Sequence, residues 1–477
     1  MRPFRIIVPL LLLATALSAR AEESWLGLYL QGRKIGWSGT VTKPTTLNGR
    51  ELTLSEGEMV MRAEMLGSRI DIKVLSKSWT DRDGKLVRMT YESESAGRTT
   101  KVEAEFSDDK IVATSESAGA VTTRTLDVPK DGLIIDDPVT RLMDGSIPPG
   151  TAQVFYSLDP TTMTLIRTVA TVKGTAKTTL RGAEIEGTLV EMVDPRMVTK
   201  VFLTPKGDLI KVESLLGIEM IPEPKATATD LNEGSAPGAP LTLDLASASR
   251  IPINADIDNP RQLAGMSLVI EGVDLARLPS GDHQTIVKQD AGWKVDVHPV
   301  QLEKAGTVDI ARAAAAAREW VNPGMYVPSD SETFRNLAKE VIGDAKTPVE
   351  AGRRARKWVH ERMKPNAGIG VLRDASEVLA SREGVCRDYA ILMATLLRAA
   401  GVPTRVASGL TLWDNHFYYH AWVEVFDGSK WIAFDATEPV DQVSAGHVKL
   451  AVGAVEDAFV FTILDGAKVR VLDFRNR

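Results

Sequence analysis

SREGVCRDYAILMATLLRAAGVP, Ser381–Pro403, carries the only cysteine of the chain at the head of a helical pattern. Ala390, Ala394, Leu397 and Ala400 share one helical face beside Tyr389, Met393 and Leu396, and Gly401 with Pro403 supplies a stop. The spacing predicts a helix over about 386–400 with Cys386 in its first turn. Unpaired N–H groups and the positive end of the helix dipole favour thiolate there, and the same groups can receive an oxyanion. A cysteine in this position is prepared to attack a carbonyl. A buried small hydrophobe is the ordinary alternative for a lone thiol.

A nucleophile of this kind needs a base, and the base an orienting group. Downstream, His420-Ala421-Trp422-Val423-Glu424-Val425-Phe426 alternates like a strand and ends at Asp427-Gly428, a common two-residue hairpin turn. The return strand is Ser429–Asp435. With a two-residue loop Phe426 faces Ser429, Glu424 faces Trp431, Trp422 faces Ala433, and His420 lies opposite Asp435. A four-residue loop leaves His420 and Asp435 diagonal on one face, and a three-residue loop separates them. The hairpin therefore predicts a His-carboxylate pair in two of its three registers.

Residues 311–440 resemble the transglutaminase-like superfamily. The resemblance runs through Leu379–Ala390, Leu396–Arg405, His420–Glu424 and Trp431–Thr437. It implies a papain-like fold in which Cys386 is the nucleophile, His420 the general base and acid, and Asp435 the orienter. The calcium sites of animal transglutaminases have no recognisable counterpart here. Neither Trp358 nor Asn366 sits where a side-chain oxyanion donor can be assigned, so the Cys386 N–H is the one donor expected.

Around this centre the chain reads as multidomain. The chain has 477 residues, 44% hydrophobic and 25% charged, which is too long for one typical core. Residues 1–21 combine Arg2 and Arg5, an apolar run from Ile6 to Leu17, and Ala19-Arg20-Ala21. They predict a signal peptide cut near Ala21, hence an exported chain, periplasmic or secreted. A membrane anchor is the competing reading, but the run is shorter than the ~20 residues that span a bilayer. Cleavage leaves 54 basic and 63 acidic side chains, a net charge of −9. That balance argues against nucleic acid or an anionic membrane as the main partner.

Residues 22–221 are expected to form an antiparallel β domain, with alternation as in Lys101–Phe106. Residues 222–240, rich in Pro, Ala, Gly and Thr, read as a linker. A small β segment is expected at 241–310, and a transglutaminase-like α+β domain closing with short strands at 311–477. Ser329-Asp330-Ser331-Glu332 and Thr347-Pro348-Val349-Glu350 read as capping boxes for helices near 332–342 and 348–363.

In function, these residues point to an exported Cys-His-Asp enzyme that acts on amide bonds through a thioester. Hydrolysis is favoured, because excluding water from a thioester demands a tunnel the sequence does not announce. Crosslinking by an amine acceptor is one alternative, and a non-catalytic scaffold with a papain-like domain is another. The expected partner is a protein or peptide substrate, a cell-wall peptide among the options. Trp413, Tyr419 and Trp422 are candidates to line the substrate site. Asp388 reads as a solvated helix-start residue. His283, His298, His360 and His447 show no grouping at ligand spacing, so neither a metal nor another cofactor is expected.

Overall fold

The computed structural model describes residues 22–477 except 66–67, 96, 118, 137–138, 140–141, 143–149, 195–196, 215–216, 233–243, 245–249, 273–274, 277–279, 370–371 and 456–466. The expected signal peptide lies outside the described residues, as do residues 233–240 of the expected linker and the closing stretch 456–466. No helix among the described residues is long and apolar enough to cross a membrane.

Period-two patterning produces one fifteen-stranded sheet between Glu22–Leu30 and Ile218–Pro222, and these first and last strands pair antiparallel. Along Arg98–Phe106 the alternation is realised: Val102 and Ala104 are buried while Lys101, Glu103 and Glu105 face solvent. The sheet rolls up. Near its two ends Ala104, Ile111 and Ala113 pack against Leu158 and Met163, and Arg124 Nη1 donates to the Thr162 carbonyl at 3.0 Å. Part of the expected linker is packed structure, for Lys225–Thr229 is a short helix whose Ala228 is fully buried.

The small β segment and the transglutaminase-like region share a core. Leu263–Glu271 pairs with Gly292–Val297 on one side and with Lys468–Asn476, the last strand, on the other. Leu268, Ile270 and Val295 of this sheet pack with Leu410, Leu412, Phe417 and Val448 of the sheet that contains Thr404–Trp413, His416–Phe426 and His447–Gly453. The boundary expected at 310/311 therefore falls inside one packed unit.

In that unit the strands Trp431–Phe434, His416–Phe426, Thr404–Trp413 and His447–Gly453 lie side by side, all antiparallel. The helices Glu332–Ile342 and Pro348–Arg362 begin near the expected positions, with Ser331 and Thr347 as their N-caps. Ser331 takes the first of these places rather than Ser329, since its hydroxyl accepts from the Phe334 N–H. Both helices pack on Cys386–Ala399, whose residues Asp388–Arg398 are all buried. Burial of Leu392, Met393, Leu396 and Leu397 contributes about 1.5–3 kcal/mol per side chain, which fixes this helix as the spine of the unit. Gly401, at φ 76°, closes it, with the Val402 N–H returning to the Leu397 carbonyl at 2.9 Å.

Candidate active site

Cys386 is the first residue of its helix and half-buried. The helix start is held from below. Asp388 Oδ2 accepts the Val385 N–H at 2.9 Å, and Asp388 Oδ1 takes Arg373 at 3.0–3.1 Å. Arg373 also donates to Ser381 Oγ at 3.0 Å and to the Glu383 carbonyl at 2.5 Å. Asp388 is 0% and Arg373 2% exposed, so the solvated reading of Asp388 is corrected: it is one half of a buried clamp. A Cβ on Gly384 would sit 2.5 Å from Asp388 Cβ, so glycine permits the close approach. Beside the cysteine, Arg387 donates to the Ile369 carbonyl at 2.8 Å.

The hairpin register differs from the two-residue expectation. Phe426 faces Trp431, Val425 faces Ile432 and Val423 faces Phe434, leaving Asp427–Lys430 as a four-residue loop. The Asp427 carboxylate decides this. Its Oδ1 accepts the N–H groups of Ser429 and Lys430 at 2.8 and 2.7 Å, and its Oδ2 accepts that of Gly306 at 2.5 Å. The turn closes on a side chain instead of the tightest ladder. His420 and Asp435 are consequently diagonal neighbours on one face, joined at 2.7 Å between Nε2 and Oδ2. Cys386, at its helix start, acts on the same imidazole and favours its charged form.

Asp435 is 1% exposed and fully engaged. Its Oδ1 accepts the Thr437 N–H at 2.8 Å and the Thr437 hydroxyl at 2.7 Å; its Oδ2 takes His447 Nε2 at 3.1 Å as well as His420. The helix Pro348–Arg362 braces this loop through Arg356, which binds Asp441 and the Glu438 carbonyl, and through His360 on the Ala436 carbonyl. Burial works against charge on both members of the central pair. For His420 it is outweighed by Asp435 and Cys386, which hold the imidazolium well above the ordinary 6.5. For Asp435 it is outweighed by His420 and His447, which keep the carboxyl well below 3.8. At nearby His283 burial, joined by the Lys449 charge, outweighs Glu424 and the His447 carbonyl and pushes the imidazole down to about 4.

The three aromatic candidates diverge. Trp413 is 57% exposed and lines a cavity of about 430 Å³ together with Arg261, Glu438, Gln442, Ser444 and His447. Tyr419 is half-buried against the apolar cluster around Phe417 and Leu410. Trp422 is corrected as a substrate-facing residue. It is 1% exposed, stacked on His420 at 6.4 Å between ring centroids and buried with Ala407, Ala433 and Val443. Asn366 is spent on Glu383 and Gly368, whereas the buried Trp358 indole N–H has no hydrogen-bond partner.

Sequence reasoning missed Arg373, Thr437 and His447. Only Thr437 had a local signal, as the residue two beyond an aspartate in a turn of the Asx type. Contrary to expectation, His447 does form a group with His420 and Asp435, and their ligand atoms lie within 4.8 Å of one another. Such a set could hold a cation. The 2.7 and 3.1 Å spacings are those of hydrogen bonds, whereas ligands sharing one zinc at ~2.0–2.1 Å tetrahedral bonds sit about 3.3 Å apart.

The sequence model of the transglutaminase-like superfamily matches residues 335–436, from the helix before the clamp to the residue after Asp435. The chain carries a transglutaminase-like domain. Among solved structures, a candidate cysteine protease from Cytophaga hutchinsonii is similar at 21% identity and TM-score 0.33, over 46% of this chain and 89% of that one. A β-barrel-like protein of a domain of unknown function from Brucella abortus is similar at 11% identity and TM-score 0.30, over 43% and 95%. A candidate protease from Parabacteroides distasonis is similar at 11% and 0.19, over 75% and 68%. No curated protein matches the chain. The transglutaminase-like domain thus sits with a large antiparallel β sheet before it, and its family supports a cysteine-dependent enzyme.

Proposed function

We propose that the protein is an exported cysteine amidase or peptidase, with Cys386 as nucleophile, His420 as general base and acid, and Asp435 as orienter. The observation that carries the reading is the 2.7 Å bond from His420 Nε2 to the buried Asp435 carboxylate, with Cys386 at a helix start acting on the same imidazole. The thiolate adds to an amide carbonyl, and the oxyanion is received by the Cys386 N–H. His420 gives its proton to the departing amine, and a thioester remains on Cys386. Water, deprotonated by His420, then releases the acid and restores the thiol. Export rests on residues 1–21, and cleavage near Ala21 is read from the mass of the mature N-terminus.

The test is alkylation of Cys386 by iodoacetamide across pH, read by mass, in the wild type and His420→Ala. Fast labelling below the free-thiol value of about 8.5, slowed in the variant, is the expected result. Slow labelling indifferent to His420 overturns the enzyme reading in favour of a scaffold. Peptide substrates offered with and without a fluorescent primary amine then separate hydrolysis from transfer, since only transfer attaches the amine to the product.

A further inference from the structure

His447 lies on the strand His447–Gly453, across Thr404–Trp413 from the His420 strand, and it donates to the same Asp435 oxygen as His420. We infer that His447 is a positioning residue of the Cys386 centre: it fixes the Asp435 carboxylate in the orientation that serves His420. The inference rests on the reading of Cys386 and His420 given above.

Thr437 saturates Oδ1 through its N–H and hydroxyl, leaving Oδ2 to two imidazoles. Without the second one, a buried oxygen keeps an unsatisfied lone pair, and the carboxylate can turn about its Cβ–Cγ bond. His447 is itself tightly fixed. Its carbonyl accepts from His283 Nε2 at 2.7 Å, and its ring stands edge-on to Trp422 at 5.3 Å and 88°, and to His420 at 5.7 Å and 68°. Its Nδ1 is buried without a partner, so its one hydrogen-bonding ring nitrogen is Nε2, which donates to the Asp435 carboxylate. A residue needed only to fill this space could be apolar and leave no nitrogen unsatisfied. The charged and titratable groups around it are Asp435 and His420, Lys449 along its own strand, His283 behind it, and Arg261 with Glu438, Asp414 and Asp258 around the adjoining cavity.

Two substitutions separate donor from filler. His447→Phe keeps a ring against Trp422 and removes the donor; His447→Gln keeps an N–H donor and removes the ring. The readout is the Cys386 alkylation rate against pH. His447→Phe is expected to lower the plateau about tenfold, the loss of one orienting hydrogen bond. It also moves the upper inflection to lower pH, because a carboxylate free to turn holds the His420 imidazolium less firmly. His447→Gln restores both. A His447→Phe profile that coincides with the wild type, or the reverse order with Phe tolerated and Gln damaging, overturns the inference. Should His447→Phe fail to fold, His447→Met fills the space without a donor and takes its place. His420→Ala runs in the same series. If it labels like the wild type, the enzyme reading falls and this inference with it; if it differs while His447→Phe does not, this inference alone falls.

Discussion

Asp388→Ala removes the carboxylate that joins the Cys386 helix to Arg373. Two losses follow. The Val385 N–H loses its acceptor at 2.9 Å, a cap contribution of about 1 kcal/mol. Arg373, 2% exposed, becomes a buried cation left with Ser381 Oγ and the Glu383 carbonyl, and breaking a buried pair in this way costs about 3–5 kcal/mol. The two overlap, so the larger range stands for the whole. At ~1.4 kcal/mol per factor of ten, amide exchange in Ala390–Arg398 should accelerate by about a hundred- to a few thousand-fold. Hydrogen exchange read by mass spectrometry suits the full chain because it isolates this helix from the rolled sheet. The double variant Arg373→Met/Asp388→Leu removes both charges and should be milder than Asp388→Ala by more than tenfold. An acceleration below tenfold in the single variant, or a double variant no milder, refutes the clamp.

Asp435→Asn deprives His420 of the carboxylate that chiefly counters its burial, so the upper inflection of Cys386 alkylation should move to lower pH; an unmoved inflection contradicts the assigned pair. Glu424 is fully buried between Lys449 at 2.7 Å and Arg405 at 2.6 Å, which outweigh burial and hold its carboxyl below the ordinary 4.5. Its contribution is present above 4.5 and is lost as pH falls through the lower folded value. The urea midpoint of the wild type should therefore exceed that of Glu424→Gln at neutral pH and converge on it in acid, and a gap that widens in acid reverses the sign argued here. A chelator should leave the alkylation rate of purified protein unchanged, because His420 and His447 approach Asp435 at hydrogen-bond spacing; a slowed rate would place a cation in the centre.

What the sequence determined by itself was local. Period two wrote the strands of the rolled sheet, as at Val102 and Ala104, and period 3.6 with a glycine stop wrote the Cys386 helix. Period two also put His420 and Asp435 on one face in either even register, which is why the pair survived the error in loop length. Tertiary structure decided the rest. The loop took four residues because Asp427 reaches Gly306, far back in the chain, as well as its own turn. Arg373 reached under Asp388, the final strand Lys468–Asn476 returned to Leu263–Glu271, and His447 came to Asp435 across an intervening strand. Each of these joins residues whose mutual approach depends on how elements pack, and no spacing along the chain records that.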